Sequence, residues 1–365
     1  MKTLFLCSVV VVAMLTVGLV GAQEQTSTTT WPTPQEGDFT VHNFAFKSGE
    51  TVPEVHIHYV TLGKPAKDVA GRTTNAVLIL HGTGGTGGQF LRPIFAGVLF
   101  GPGQLLDASR YFIILPDNIG HGKSSKPSDG MHAHFPQYDY DDMVALQHEL
   151  LEHGLGVNHL RLVLGTSMGC MHSWVWGETY PDMMDALMPL ACLPVQIAGR
   201  NRVWRKMVME GIRQDPEWKN GDYTTEPRAG LQIAADFLLI AGSAPLHQQE
   251  DLPTRDAADT FLDSFVKRTT GSLDANDLLY AVNASRNYDP SGALDKIKAP
   301  VMFINSADDF INPPELGIAE REIKKVKSGK FVLLPTSAQT YGHGTHTHAA
   351  VWQSYLKELL DQSSR

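Results

Sequence analysis

The stretch Arg161-Leu-Val-Leu-Gly-Thr-Ser-Met-Gly-Cys170 decides the fold of this chain. Its apolar run at residues 162–164 is typical of a short strand buried on both faces of a sheet. Gly165-Thr-Ser-Met-Gly169 then fits G-x-S-x-G, and residues 170–180, which contain no proline, predict a helix. A strand, a tight turn and a helix form the setting in which this motif carries a serine nucleophile. The alternative is a chance pentapeptide in a strand-to-helix loop.

The glycines of the motif fit a sharp turn between strand and helix. A serine at such a turn has a strained backbone, and small residues two positions away on each side let strand and helix pass closely. The turn directs the Ser167 hydroxyl towards a substrate and places the N–H of Met168 at the helix N-terminus. That N–H can stabilise an oxyanion.

Further apolar runs predict an α/β fold around this motif. Alternation at residues 39–46 and 55–60 predicts two antiparallel strands. Apolar runs predict more strands at residues 75–80, 111–115, 186–191, 301–304 and 331–334. Helical patterns occur at residues 142–155 and 349–360. Because strands and helices alternate, we predict a mostly parallel eight-stranded sheet with helices on both faces.

The pattern changes at residues 194–289, where tryptophans, charges and helical spacing dominate. Apolar strand runs are missing there, and the segment is too long for one strand–helix unit. We therefore predict a helical lid inserted at residues 194–289, with a core formed by residues 37–193 and 290–365.

A glycine-rich stretch, His81-Gly-Thr-Gly-Gly-Thr-Gly-Gly88, follows the strand at residues 75–80. It has the composition of a phosphate or dinucleotide cradle, or of the second half of an oxyanion hole. No lysine follows as in a P-loop, and no helix opens with G-x-G-x-x-G. The His-Gly start and the downstream G-x-S-x-G favour the oxyanion interpretation.

The loop after the strand at residues 301–304 offers an acid for Ser167. A serine needs a base to take its proton, and in α/β-hydrolases an acid and then a histidine follow the serine along the chain. Both Asp308 and Asp309 are candidates. Asp309 is favoured because the acid of such loops commonly lies four residues before a proline, here Pro313.

The loop after the strand at residues 331–334 offers the base. His343 is favoured because it lies just ahead of the last helix, and His346 is the alternative. A metal site formed by His343, His346 and His348 is a rival interpretation, because this spacing brings three imidazoles close together. No carboxylate or cysteine in the loop completes such a site, so we predict neither a metal nor a cofactor.

The N-terminus predicts export. Residues 4–20 form an apolar run, and small residues follow at positions 20–22. This pattern is typical of a secretory signal peptide at residues 1–22, cleaved near Ala22; the alternative is an uncleaved membrane anchor. Residues 23–36, rich in Thr, Gln, Ser and Pro, predict a disordered lead-in. The mature protein is expected to be secreted or periplasmic, without membrane association.

Cysteine content and net charge limit the possible disulfides and the classes of binding partner. After cleavage, Cys170 and Cys192 remain, either as two buried thiols or as one disulfide. The formal net charge of −9 and the lack of a basic patch interleaved with aromatic residues argue against nucleic-acid binding. The expected partner is a small-molecule ester or acyl substrate.

Taken together, these motifs resemble the homoserine O-acetyltransferase family of α/β-hydrolases over nearly the whole mature chain. The similar segments include residues 59–63, 75–81, 165–182, 211–231 and 274–280. The resemblance implies that Ser167 is the nucleophile, Asp309 the acid and His343 the base. It also implies oxyanion N–H groups from Thr83 and Met168, and a homodimer formed through the lid.

The chain departs from this family where an amino-acid acceptor is expected to bind. Thr166 stands where the family usually has a second glycine, and residues 120–125 replace a Gly-Ser-Thr-Gly-Pro loop. The family's lid arginine corresponds to Met209, with Arg205 and Lys206 about one turn earlier. We therefore expect a serine ester hydrolase that uses water as acceptor. The alternatives are an O-acyltransferase of the family type and a non-catalytic binding protein on a hydrolase fold.

Overall fold

The computed structural model describes residues 31–364, and its strands form one eight-stranded sheet. The strands are β1 (Gln35–Ala45), β2 (Thr51–Leu62), β3 (Ala76–Leu80), β4 (Phe112–Pro116), β5 (Leu162–Thr166), β6 (Leu187–Leu190), β7 (Val301–Ser306) and β8 (Gly329–Leu334). Their order is β1-β2-β4-β3-β5-β6-β7-β8. The β1–β2 and β2–β4 pairs are antiparallel and every other pair is parallel. The predicted mostly parallel α/β-hydrolase sheet is confirmed.

Helices cover both faces of the sheet. The α-helices of the described residues are α1 (Ala96–Leu99), α2 (Tyr140–Glu149), α3 (Met168–Thr179), α4 (Gly199–Gln214), α5 (Arg228–Gly242), α6 (Pro245–Asp251), α7 (Arg255–Thr270), α8 (Ala275–Asn283), α9 (Ile318–Glu322) and α10 (Ala349–Gln362). Helices α2 and α3 pack on one face, where Trp174 is fully buried. Helices α1 and α10 pack on the other face around Trp352. Strands β3 to β7 are therefore buried on both sides, which explains their continuous apolar runs.

The segment predicted as a lid, residues 194–289, contains helices α4 to α8, which lie between β6 and β7 in the chain. We call this segment the helical insertion. Helices α4 and α5 pack against each other, whereas α7 has no buried residue. Within residues 31–364 no single helix has both the length and the apolar character to cross a membrane. The pair α5 and α6, bent by 106°, meets that test on length and composition only.

Most of the N-terminal predictions fall outside the described residues. The signal peptide at residues 1–22 and the lead-in as far as residue 30 belong to that part. The end of the predicted lead-in, residue 36, is wrong. Strand β1 begins at Gln35, which pairs with Thr61 of β2, and Trp31 packs against the core. The alternation at residues 39–46 predicted most of this edge strand, but residues 35–38 contain no apolar side chain and gave no sign of its first paired residues.

Candidate active site

Ser167 lies at the turn between β5 and α3 in a strained backbone conformation, with φ 54° and ψ −109°. The glycines of the motif make this turn sterically feasible. A Cβ on Gly165 would lie 1.9 Å from the Gly169 carbonyl oxygen, and one on Gly169 would lie 2.1 Å from the Leu80 carbonyl oxygen. Any side chain at either position would therefore separate α3 from β5 or β3.

Three side chains form a hydrogen-bonded chain at this turn. The Ser167 hydroxyl donates to His343 Nε2 at 2.7 Å when His343 Nδ1 carries the ring proton. His343 Nδ1 then donates to Asp309 Oδ2 at 2.9 Å. The structure thus brings together residues from the loops after β5, β7 and β8. Such a chain can withdraw the serine proton and stabilise the imidazolium that results.

Asp309 is held as a carboxylate. Its side chain is fully buried, and burial alone would raise its pKa. The charge of His343 and hydrogen bonds from His343, Asn312 and Ile311 outweigh burial and hold the pKa of Asp309 below its usual value. Asn312 donates its side-chain amide to Oδ2 at 2.9 Å, and the Ile311 N–H donates to Oδ1 at 2.7 Å. Sequence reasoning gave no role to Asn312.

The alternative acid, Asp308, has different partners. Its carboxylate accepts hydrogen bonds from the hydroxyls of Ser306 and Thr340 and from the N–H of Gly342. The Thr340 and Gly342 bonds are 2.9 and 3.0 Å long and attach the loop just before His343 to the end of β7. Asp308 therefore anchors the histidine-bearing loop, whereas the hydrogen bond to the imidazole of His343 comes from Asp309.

The alternative base, His346, makes no hydrogen bond to Ser167. Its ring meets that of His343 edge to face at 5.2 Å, and its Nδ1 has no hydrogen-bond partner among the described residues. Burial, followed by the charge of His343, lowers the pKa of His346 to about 3. His348 stacks instead on Tyr341 at 3.7 Å. Across residues 31–364, no group of three or more His, Cys, Asp or Glu side chains could hold a metal ion.

The two expected oxyanion donors lie beside Ser167. Met168 is the first residue of α3, so its N–H has no acceptor within the helix. Thr83 lines the same cavity as Ser167. Its loop passes so close that a Cβ on Gly82 would lie 3.2 Å from the Ser167 Cβ. Their role as oxyanion donors stays a prediction.

Comparison with known proteins places this arrangement in a family. The family model described as the alpha/beta hydrolase fold matches residues 75–338. A probable acyltransferase of Methanothermobacter thermautotrophicus is 31% identical over 280 residues, covering 76% of this chain and 84% of the relative. A homoserine O-acetyltransferase of Moorella thermoacetica is 30% identical over 361 residues, covering 86% of this chain and 93% of the relative. This chain belongs to the α/β-hydrolase family.

Solved structures agree on the fold of this α/β-hydrolase. An acetylester hydrolase from Corynebacterium glutamicum has a TM-score of 0.77 at 21% identity, covering 90% of this chain and 96% of the other. A homoserine O-acetyltransferase from Bacillus anthracis has a TM-score of 0.76 at 22% identity, covering 91% of this chain and 98% of the other. The predicted resemblance to the homoserine O-acetyltransferase family is confirmed, and solved structures of an esterase and of an acetyltransferase share the fold.

A disulfide adjoins the serine of this α/β-hydrolase. Cys170, in the first turn of α3, is bonded to Cys192, just after β6. The side chain of Asn305 holds the backbone of Cys192, accepting from its N–H at 3.2 Å and donating to its carbonyl oxygen at 2.9 Å. The bond therefore fixes the serine-bearing helix to the segment that enters the helical insertion.

The α/β-hydrolase has a cavity of about 1110 Å³, partly open to solvent, that Ser167 and His343 line. Arg205 of α4 also lines this cavity, although its side chain is 3% exposed. Burial lowers the pKa of Arg205, while the neighbouring Tyr140 phenol raises it. Its guanidinium donates to Asn201 Oδ1 at 2.9 Å, to the Ser285 hydroxyl at 3.3 Å and to the Val282 carbonyl oxygen at 3.4 Å. None of these acceptors is a carboxylate, and no ion pair of Arg205 is found among the described residues. Sequence reasoning noted Arg205 but could not place it at the cavity.

Proposed function

We propose that this protein hydrolyses an ester or related acyl substrate through a covalent acyl-serine intermediate. The observation that carries the proposal is the Ser167–His343–Asp309 hydrogen-bonded chain on the wall of a large cavity. A surface serine that is merely hydrogen-bonded to a histidine would lack both a substrate cavity and a carboxylate that orients its base. A strained serine whose base is itself oriented by a buried carboxylate is the arrangement that nucleophilic catalysis requires.

The first half of the reaction forms the acyl-serine. Ser167 Oγ attacks the acyl carbon while its proton passes to His343 Nε2. The carbonyl oxygen becomes an oxyanion that the N–H groups of Thr83 and Met168 stabilise. The tetrahedral intermediate then collapses, the bond to the alcohol oxygen breaks, and His343 returns its proton to the leaving alcohol. Asp309 fixes the tautomer and offsets the imidazolium charge.

The second half transfers the acyl group to water. His343 Nε2 takes a proton from a water molecule as its oxygen attacks the acyl carbon, and then returns that proton to Ser167 Oγ. Free acid leaves and the hydroxyl is restored. Water is the proposed acceptor because the loop at residues 120–125 and Met209 depart from the family residues expected to bind an amino-acid acceptor.

Active-site labelling tests the proposal. A fluorophosphonate probe should label Ser167, and a panel of esters should be hydrolysed. We expect Ser167→Ala and His343→Ala each to lower kcat by at least about 10⁴-fold, with the double variant little worse than either. His346→Ala should retain activity because that ring makes no bond to Ser167. An unlabelled Ser167 in folded protein would favour a non-catalytic binding protein.

An O-acyltransferase is the second candidate, and Arg205 is the observation that favours it. A buried cation without an anionic partner is costly, and a bound carboxylate would neutralise it. The names of the relatives, which include homoserine O-acetyltransferase, suggest an amino-acid acceptor. Hydrolysis and transfer products should be separated with and without homoserine. Saturable formation of O-acetylhomoserine by the purified protein would favour transfer over hydrolysis.

Two further proposals concern location and assembly. We propose export with cleavage near Ala22, supported by the N-terminal apolar run and by the Cys170–Cys192 disulfide, which suits an oxidising compartment. N-terminal sequencing of exported protein tests this, and a full-length product in the membrane fraction would indicate an anchor. We also propose a homodimer through the helical insertion, where Met207 and Ile240 are 45% and 50% exposed.

A further inference from the structure

The cavity beside Ser167 is much larger than a short acyl group needs. Its volume is about 1110 Å³. A dry apolar cavity of about 150 Å³ is enough to hold a benzene molecule, whereas an acetyl group contributes only two carbon atoms. A substrate with an acetyl group and a small alcohol would therefore leave most of this space without protein–ligand contacts.

Apolar side chains from both parts of the chain form most of the wall. The helical insertion and the segment entering it contribute Leu193, Val195, Ile197, Trp204, Leu238 and Leu273. Ile311, in the loop after β7, faces them from the core. Apart from Trp204, which is buried, these side chains are half-buried, because part of each side chain borders the cavity. Apolar surface exposed inside a concave space is characteristic of a ligand pocket.

Six charged or titratable residues also line the cavity. Three of them already have partners near Ser167: Asp308 accepts a hydrogen bond from the N–H of Gly342, and Asp309 is bonded to His343. Arg200 is exposed and lies over the ring of Phe310, with its guanidinium carbon 4.2 Å from the ring centre. Glu315, also among the lining residues, and buried Arg205 on α4 complete the charged set. Because most of the lining surface is nevertheless apolar, the cavity can accommodate a chain without polar atoms.

We propose that the substrate of this enzyme is an ester with an extended apolar chain, of medium length or longer, held in this cavity. The inference rests on the proposed ester hydrolysis and adds the substrate class. Each methylene moved from water into the cavity contributes about 0.8 kcal/mol. That corresponds to up to about a fourfold gain in kcat/KM per methylene while the chain is still filling the space.

Two ester series test the proposal and show which side of the ester carries the chain. The first varies the acyl group of p-nitrophenyl esters from acetyl to octanoyl, and the second varies the alcohol of alkyl acetates from ethyl to octyl. All are assayed below their micelle concentrations. We expect kcat/KM to rise at least about 100-fold across one series, mainly through KM. A rise in the first series places the chain on the acyl side, and a rise in the second places it on the alcohol side.

A cavity-filling variant separates this effect from general preference for apolar esters. Leu238→Trp, on α5, adds bulk inside the cavity and should lower the octanoyl-to-acetyl or octyl-to-ethyl ratio of kcat/KM at least about tenfold. Leu246→Trp, on α6, is the matched control because Leu246 is 51% exposed and does not line the cavity. It should leave the ratio unchanged, and melting temperatures of both variants report any loss of folding.

The outcomes distinguish this inference from the proposed function. If acetyl and ethyl esters are the best substrates and kcat/KM falls with each methylene in both series, the apolar-chain inference is overturned while ester hydrolysis stands. A rise with chain length that Leu238→Trp and Leu246→Trp alter equally would also overturn it, since the cavity would not be the cause. If Ser167 is not labelled and no ester is cleaved, the proposed function itself fails.

Discussion

The neighbouring carboxylates Asp308 and Asp309 provide a sharp test of the site, because the same isosteric change should cause a large loss of activity at Asp309 and a small one at Asp308. In Asp309→Asn the backbone N–H of Ile311, 2.7 Å from Oδ1, requires an oxygen at that position. The new NH₂ then occupies the place of Oδ2, where it faces His343 Nδ1 and the side-chain amide of Asn312, which has to turn its own oxygen towards the new group. The NH₂ can only donate there, so the ring proton moves to Nε2. His343 can then no longer accept the proton of Ser167.

The expected loss of kcat in Asp309→Asn follows from this reversal of the His343 tautomer. The corresponding change in a serine protease triad lowers kcat by about 10⁴-fold, and we expect a similar loss here. A 10⁴-fold loss is about 5 kcal/mol of transition-state stabilisation. Because the pKa of Asp309 lies below its usual value, the wild-type carboxylate stays charged throughout a neutral assay. Titration of this group therefore cannot mimic the variant.

Asp308→Asn is the matched control. Its remaining oxygen can still accept from Thr340 and Gly342, and its NH₂ can donate to the Ser306 hydroxyl. Each bond contributes about 0.5–1.5 kcal/mol, so we expect less than about a tenfold loss of activity. Asp308→Ala would remove all three bonds and should lower the melting temperature as well.

The assay is kcat/KM on an activated ester, together with the rate of fluorophosphonate labelling and a thermal melt. Asp309→Asn should remain folded and label very slowly, whereas Asp308→Asn should label at nearly the wild-type rate. If Asp308→Asn is inactive while Asp309→Asn is near wild type, the assignment of the acid from the observed hydrogen bonds is wrong.

Three other predictions follow from the structure. Burial, followed by the charge of His81, lowers the pKa of His121 to about 3. Below about pH 6.5 the unfolded chain therefore binds a proton that the folded protein does not, and the folded protein loses stability as the pH falls. His121→Asn removes this loss, so the variant should be about 3 kcal/mol more stable than wild type at pH 4 relative to their difference at pH 8, measured by urea unfolding. An unchanged pH dependence would exclude this histidine as the cause. Removing the disulfide, which joins residues separated by 22 positions, with Cys170→Ala and Cys192→Ala should cost about 3 kcal/mol of stability in denaturant melts; no loss would mean that the thiols are free in solution. Met207→Glu should convert the dimer to monomer in analytical ultracentrifugation, and a wild-type monomer at every concentration would refute the proposed interface.

The sequence alone predicted the fold because its signals are local. Apolar runs mark strands buried on both faces, and β3 to β7 lie within a few residues of their predicted positions. Gly165 and Gly169 mark the turn because no other side chain fits beside the backbone there. Loss of strand patterning at residues 194–289 likewise reflected a real change to helices. Strand β1 was predicted less accurately because its exposed edge residues have no strong pattern.

Only the tertiary structure decided which candidate side chains meet. Asp308 and Asp309 are adjacent and chemically identical, and what distinguishes them is that Asp309 faces His343, 34 residues later in the chain. His343 and His346 differ in the same way, since only the former reaches Ser167. The disulfide and the cavity also depend on segments far apart in sequence. Residue type and spacing specify local backbone geometry, whereas contacts between distant loops depend on how the sheet brings its strand ends together.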